Sequence, residues 1–230
     1  MSKTALIIGA TGLVGQQLTE QLLLDDNYQA VHVFVRNLIA LPDNADPKNK
    51  LTQHIVDFNN MSSWQSKLVG DELFCCIGTT LKQAGSKLLQ TKIDLKIPTE
   101  IARYARHNDV TKFILISSAN ANPESSSFYL QLKGKLEQNL IEQNWPQLII
   151  VRPSFLAGKR NEFRVGEKVA IGLFSFLQFV PFIKRYRPIT GKQLATKMRF
   201  LAAEGSQTDL QKTAQQQMDK VVIKELDQLF

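Results

Sequence analysis

Short apolar runs alternate along the chain with longer segments whose apolar residues recur at helical spacing. The runs that predict β-strands are Ala5–Ile8, Ala30–Val35, Gln53–Val56, Leu73–Ile77, Lys112–Ile116 and Gln147–Val151. The segments that predict helices are Leu13–Leu24, Met61–Leu68, Lys92–Arg106, Ser127–Glu142 and Gln193–Ala203. Alternation of strand and helix is typical of a doubly wound parallel sheet with helices on both faces. The pattern therefore predicts an α/β fold.

Two places interrupt this pattern. The stretch from Leu41 to Lys50 is rich in Pro, Asp and Asn, which predicts an exposed loop. Pro98 falls inside the predicted helix Lys92–Arg106, where it removes a hydrogen bond and predicts a kink or a break.

Composition narrows the class of protein. With 230 residues, 43% hydrophobic and 21% charged, the chain fits one globular domain over residues 1–230, with residues 152–192 as a small substrate-side or lid appendage. The net charge of +7 is spread over scattered basic residues without a nucleic-acid-binding module, so we expect no nucleic-acid partner. The absence of a signal-peptide pattern and the adjacent Cys75 and Cys76 predict buried strand cysteines in a reducing cytoplasm.

The sequence favours neither a metal site nor a membrane-spanning helix. His32, His54 and His107 are isolated in the sequence and lack metal-ligand spacing, so we expect no metal. The apolar run Ile171–Ile183 is shorter than the ~20 residues that a membrane-spanning helix needs. We favour a lid or substrate-pocket element there. Because basic residues flank the run, a peripheral membrane contact through residues 171–187 is the alternative.

The candidate chemistry starts at the first predicted turn. Gly9, Gly12 and Gly15 follow an apolar strand directly and open a predicted helix. In a Rossmann-type dinucleotide site, such glycines make a sharp turn, admit a pyrophosphate and let the helix pack close to the strand. The pyrophosphate then lies on the bare N–H groups and the positive end of the helix. A purely structural turn is the alternative.

Further candidates follow the next strands. Arg36 ends the second strand, where an NAD-preferring site usually has a carboxylate that accepts hydrogen bonds from the adenosine ribose. The guanidinium of Arg36 instead suits a 2′-phosphate and therefore predicts NADP over NAD. Asp57, after the third strand, can accept from the adenine amino group. The small-residue turn Ile77-Gly78-Thr79, after the fourth, lets a cofactor lie across the sheet edge.

Tyr129 and Lys133 form the candidate catalytic pair. Residues four apart on a helix share one face, and a nearby ammonium stabilises tyrosinate, which makes Tyr129 a usable proton donor or acceptor. Ser118, at the end of the fifth strand, is placed to hold a substrate carbonyl, and we prefer it to Ser117. One of the serines at 125–127 is expected to cap the helix that carries Tyr129.

Together these residues resemble the short-chain dehydrogenase/reductase superfamily. The stretches Phe74–Thr80, Tyr129–Gly134, Arg152–Leu156 and the residues Arg164, Gly166 and Glu167 resemble its atypical branch of Tat-interacting-protein-like oxidoreductases. The resemblance implies Ser118, Tyr129 and Lys133 as the catalytic set. The cofactor site that it implies comprises Gly9, Thr11, Gly12, Leu13, Val14, Gly15, Arg36, Asp57, Phe58, Ile77, Gly78, Thr79, Lys133, Arg152 and Pro153.

Two functions are compatible with these features. The leading one is an NADP(H)-dependent oxidoreductase of a carbonyl or alcohol, whose substrate is apolar if Phe174, Phe176, Phe179 and Phe182 line the pocket rather than a core. The rival is a module that senses NADP(H) and regulates a protein partner without turnover. The sequence indicates neither the substrate nor the oligomeric state.

Overall fold

The computed structural model describes residues 2–157, 188–208 and 221–225. The strands are β1 (Lys3–Ile8), β2 (Tyr28–Val35), β3 (Leu51–Ile55), β4 (Glu72–Cys75), β5 (Lys112–Ile116), β6 (Gln147–Arg152), β7 (Phe155–Ala157), β8 (Pro188–Thr190) and β9 (Val221–Glu225). The α-helices are α1 (Leu13–Leu24), α2 (Leu81–Ala84), α3 (Lys87–Thr91), α4 (Ile97–His107), α5 (Phe128–Glu142) and α6 (Gly191–Thr208). A π-helical segment, Lys92–Lys96, joins α3 to α4.

Seven strands form one parallel sheet in the order β3-β2-β1-β4-β5-β6-β9. The order changes direction at β1, which pairs with β2 on one side and with β4 on the other. Ligands of such sheets bind beyond the carboxyl ends of the strands at this switch point. Strands β7 and β8 form a separate parallel pair.

The sheet has an apolar core on each face. One core places Leu18 of α1 and Met198 of α6 against strand residues such as Ile7. The other core places Ile101 of α4 and Leu136 of α5 against the opposite side. Parallel sheets are buried on both faces, and this arrangement confirms the predicted doubly wound Rossmann-type fold.

All six predicted strands are present, and α1 matches its predicted bounds. The predicted helix Met61–Leu68 is wrong, because the structure has two 3₁₀ turns, Met61–Ser63 and Gln65–Lys67. The hydroxyls of Ser62 and Ser63 bond instead to Asn60, at 2.7 and 2.8 Å. Short polar side chains of this kind compete with the helical backbone.

Pro98, which was predicted to kink or break a helix, lies where the helix changes geometry. Pro98 lies in the first turn of α4, directly after the π-helical segment. The first turn of a helix tolerates a residue without an N–H group. The predicted helix Lys92–Arg106 is therefore not broken, but it changes from π to α geometry at this point.

Candidate active site

A tight turn joins β1 to α1. Gly9 has a φ of +86°, and its carbonyl oxygen accepts a 3.0 Å hydrogen bond from the N–H of Gly12. A Cβ on Gly9 would lie 2.7 Å from the carbonyl carbon of Cys76, and one on Gly15 would lie 2.1 Å from the oxygen of Gly9. The first and third glycines are therefore required by the packing of the turn itself.

Gly12 has a different environment. Its backbone is extended, and the nearest atom to an added Cβ would be the oxygen of Gly9 at 3.3 Å. Gly12 and Thr11 are exposed, no side chain caps α1, and the first turn of α1 carries no acidic residue. Such a bare helix start attracts anions. The segment from Thr11 to Val14 therefore fits the pyrophosphate of a dinucleotide.

Three predicted residues follow β2 and β3 at the same edge of the sheet. Arg36 and Asp57 are exposed, and Phe58 is half-buried with its ring centroid 5.6 Å from that of Trp64. The Oδ1 atom of Asp57 accepts from the backbone N–H of Asn59 at 2.8 Å and from its side-chain amide at 3.0 Å. These bonds fix the orientation of the Asp57 carboxylate at the outer part of the edge.

Lys133 of α5 lies between the ends of β4 and β5. Its side chain is buried, and its Nζ atom donates to the carbonyl oxygen of Ile77 at 3.5 Å and to that of Ile116 at 3.4 Å. A Cβ on Gly78 would lie 3.7 Å from the same Nζ atom. Tyr129, one helical turn earlier, is 37% exposed. The predicted pair therefore combines a buried ammonium with a solvent-facing phenol.

Ser118 lies two residues beyond β5 and is half-buried. The backbone on either side of it is tied to the segment after β6. The N–H of Ser117 donates to Val151 at 2.8 Å, and the N–H of Ala119 donates to Pro153 at 2.9 Å. The position of Ser118 is thus fixed by the sheet.

Gly134, which the sequence analysis did not single out as a site residue, brings α5 close to the segment after Ser118. A Cβ on Gly134 would lie 2.2 Å from the backbone nitrogen of Pro123 and 2.3 Å from the carbonyl carbon of Asn122. Only glycine permits this contact between the helix that carries Tyr129 and the chain that carries Ser118. The predicted cap is different: Ser127 occupies the N-cap position, but its side chain forms no capping bond.

Arg152 was expected to contact the cofactor. Its Nε and Nη2 atoms donate to Glu137 of α5 at 3.0 and 2.5 Å, and the buried hydroxyl of Ser117 donates to the same carboxylate. This network ties α5 to the ends of β5 and β6. A cofactor contact by Arg152 or Pro153 stays a prediction. Glu137 follows Lys133 by four residues, the one sequence signal that places it on the same helix face.

Asp94 was also missed by the sequence analysis. It lies in the middle of the π-helical segment, and its side chain is fully buried. Its Oδ1 atom accepts from the backbone N–H of Thr79 at 2.7 Å, and its Oδ2 atom accepts from the amide of Gln90 at 3.3 Å. Burial raises the pKa of the Asp94 carboxyl, and the charge of Lys133 and the bonds from Thr79 and Gln90 oppose that rise.

The cysteines and histidines have other surroundings. Cys75 and Cys76 are free thiols, and burial raises the pKa of Cys75. The expectation that all histidines are isolated is wrong for His32 and His54, whose ring nitrogens lie 3.2 Å apart because β2 and β3 are paired. Within the described ranges, no three or more His, Cys, Asp or Glu residues form a group that could hold a metal ion.

Several predicted features lie outside the described residues. They are the apolar run Ile171–Ile183 with its phenylalanines, the basic residues 184–187, most of the 152–192 appendage, and Arg164, Gly166 and Glu167. In the part of the chain that the structure describes, every helix is too short or too polar to cross a membrane.

Comparison with known proteins identifies the family of this architecture. A model of the NAD(P)H-binding family matches residues 9–169. "Protein FMP52, mitochondrial" of Debaryomyces hansenii is 32% identical over 207 residues, which cover 87% of this chain and 88% of that protein. "Protein HTATIP2" of Rattus norvegicus is 30% identical over 177 residues, which cover 76% of this chain and 72% of that protein.

The oxidoreductase ylbE from Lactococcus lactis has a similar solved structure, with a TM-score of 0.61. Its sequence is 20% identical, and the match covers 87% of this chain and 84% of that chain. At this identity the likeness shows a shared fold alone.

The predicted cytoplasmic location is contradicted by these comparisons. The relative from Debaryomyces hansenii is named a mitochondrial protein, and so are relatives from Scheffersomyces stipitis, Candida glabrata and Coccidioides immitis. The prediction depended on the lack of a secretory signal and on the cysteine content, and neither feature distinguishes the cytoplasm from an organelle.

Proposed function

The chain belongs to the NAD(P)H-binding family, and we propose that it is an NADP(H)-dependent oxidoreductase of the short-chain dehydrogenase/reductase type. Its substrate is a carbonyl compound or the corresponding alcohol. The bound nicotinamide supplies or receives a hydride, and the side chains of this protein bind the substrate, orient it and move the proton.

The observation that carries this proposal is the burial of Lys133. Burying an ammonium group is costly unless the group is paired, and among the described residues its Nζ atom donates two long hydrogen bonds to carbonyl oxygens. An ammonium has three donors, so one remains for a ligand hydroxyl. A core position would more cheaply hold an apolar side chain, and this lysine lies where the carboxyl ends of β4 and β5 meet.

The residues around Lys133 supply the remaining functions. The half-buried Ser118 hydroxyl, at the end of β5, orients the substrate oxygen. Tyr129 donates a proton to that oxygen during reduction and accepts one during oxidation. Lys133, one helical turn after Tyr129, is in the same proposal the group that holds the bound cofactor beside the substrate.

The exposed charges at the outer part of the edge support NADP(H) over NAD(H). Arg36 follows β2 at the position where the adenosine ribose is bound in Rossmann-type sites. A guanidinium there offers a fork of donors to a 2′-phosphate. Asp57, oriented by Asn59, accepts from the adenine amino group in the same proposal.

The direct test is oxidation of NADPH in the presence of a panel of aldehydes and ketones. We expect the wild-type protein to reduce at least one member, and Tyr129→Phe to lose turnover while binding NADPH with nearly unchanged affinity. Tyr104→Phe, a matched change on α4, should retain activity. NADPH binding with turnover that Tyr129→Phe leaves unchanged would contradict the role of Tyr129. Binding without turnover on a broad panel would favour the NADP(H)-sensing alternative.

A further inference from the structure

The π-helical segment Lys92–Lys96 directs one acidic side chain into the protein. Its flanking residues Lys92 and Leu95 are half-buried and Lys96 is exposed, whereas Asp94 is fully buried. A π turn adds one residue to a helical turn, and such turns are frequent at functional sites. The segment therefore delivers a carboxylate to a place that a regular helix face would fill with an apolar residue.

The carboxylate of Asp94 and the amide of Gln90 contact the two backbone polar groups of Thr79. Asp94 accepts from the N–H of Thr79 at 2.7 Å, and the Nε2 atom of Gln90 lies 3.5 Å from the carbonyl oxygen of Thr79. The same Nε2 atom donates to Asp94 at 3.3 Å. Gln90 is itself buried, so the two side chains and Thr79 form a closed polar cluster.

This cluster is attached to the turn that follows β4, because Thr79 belongs to both. Gly78, the residue before Thr79, is exposed at the sheet edge and would place a Cβ 3.7 Å from the Nζ atom of Lys133. A turn of small residues has little side-chain packing of its own to fix its shape. The hydrogen bonds that Asp94 and Gln90 form to Thr79 therefore fix the conformation of this turn.

We propose that Asp94, supported by Gln90, is a positioning residue that holds the Gly78–Thr79 turn in the conformation that receives the cofactor. Asp94 acts as a hydrogen-bond acceptor for the N–H of Thr79 and touches neither substrate nor cofactor. The inference rests on the proposed function, because it assigns the turn to the cofactor site. It adds two residues, Gln90 and Asp94, that support the cofactor site without contacting the cofactor.

Four variants separate this role from general stability. Asp94→Ala removes the acceptor, whereas Asp94→Asn keeps an oxygen that can accept from Thr79. Gln90→Met removes only the supporting amide and keeps the length of the side chain, so it serves if Asp94→Ala does not fold. Lys96→Ala is the matched control, since Lys96 is exposed on the same π-helical segment.

Two measurements are made on each full-length variant. The first is the hydrogen-exchange rate of the Thr79 amide in the protein without cofactor, measured by NMR. The second is a titration with NADPH, followed by nicotinamide fluorescence. Loss of a hydrogen bond to a charged group corresponds to about a tenfold to hundredfold change in an equilibrium constant.

We expect Asp94→Ala to accelerate exchange at Thr79 and weaken NADPH binding by about tenfold or more. Gln90→Met and Asp94→Asn should show smaller changes in the same direction, because Asn keeps an acceptor for Thr79 but loses the charge and the acceptor for Gln90. Lys96→Ala should resemble the wild type in both measurements. Wild-type affinity in Asp94→Ala, or in Gln90→Met with accelerated exchange, would overturn the inference and leave the proposed function intact. Failure of the wild-type protein itself to bind NADPH would overturn both.

Discussion

The α-carbon of Gly15 approaches the carbonyl oxygen of Gly9 so closely that a Cβ on Gly15 would lie 2.1 Å from that oxygen. The corresponding distance for Gly12 is 3.3 Å, and the Gly12 backbone is extended. The two glycines therefore differ in how strongly the packing of the turn excludes a side chain. Gly15 is required by the fold, whereas at Gly12 we expect the requirement for glycine to come from a ligand that approaches the start of α1.

This difference predicts opposite outcomes for two matched substitutions. Gly15→Ala should lower the free energy of unfolding by at least about 2 kcal/mol, because the methyl group forces the turn apart. Gly12→Ala, whose Cβ would meet only the oxygen of Gly9 at 3.3 Å, should destabilise the protein much less than Gly15→Ala and lose NADPH binding. Urea denaturation and NADPH titration measure the two effects. Tight NADPH binding by a folded Gly12→Ala protein would contradict the assignment of the glycine turn to a pyrophosphate.

The adjacent residues Ser117 and Ser118 provide a second matched pair. Ser117 donates to the buried carboxylate of Glu137, so Ser117→Ala should cost about 1–3 kcal/mol of stability. Ser118 is expected to hold the substrate oxygen, so Ser118→Ala should fold normally and lose carbonyl reduction. Chemical denaturation and NADPH oxidation are measured on both variants. A Ser118→Ala protein with full activity, or an inactive Ser117→Ala protein of unchanged stability, would reverse the assignment of the two serines.

The pair His32 and His54 predicts a loss of stability in mild acid. Burial lowers the pKa of both rings, and the charges of His32 and Lys67 lower that of His54 further. When a pKa is lower in the folded state, protons bind preferentially to the unfolded chain. The stabilisation is therefore complete above the unfolded value of about 6.5 and is lost as the pH falls from there through the folded values.

Urea denaturation at a series of pH values from 7.5 to 5 tests this prediction. The wild-type protein should become less stable across the lower half of that range. The double variant His32→Gln/His54→Gln should show a shallower slope, because the amides do not titrate. An equal slope in both proteins would show that other groups cause the acid sensitivity.

Six of the seven strands of the sheet were predicted because each carries its own apolar signal, and β9 (Val221–Glu225), which pairs with β6, was missed. Apolar runs such as Ala5–Ile8 and Lys112–Ile116 are bounded by polar residues, and parallel strands that are buried on both faces read as continuous apolar runs. The glycine turn was predictable for a similar reason, since its spacing reflects a local steric requirement.

The residues that were missed act across long distances in the chain. Asp94 contacts Thr79, and Gly134 contacts Asn122 and Pro123. Neither contact leaves a local pattern, because an acidic residue within a predicted helix is normally solvated. The segment Met61–Ser63 was mispredicted for the opposite reason: local serine hydroxyls, which periodicity does not register, determine its backbone.

We expect the start of α1 and Arg36 to bind NADP(H) together. The most direct test is a titration of the purified protein and of Arg36→Ala with NADPH and with NADH, followed by nicotinamide fluorescence and tryptophan quenching. We predict that the wild-type protein binds NADPH at least about tenfold more tightly than NADH, and that Arg36→Ala removes this preference without weakening NADH binding. Equal affinities for the two cofactors would contradict the role of Arg36, and no binding of either would contradict the account as a whole.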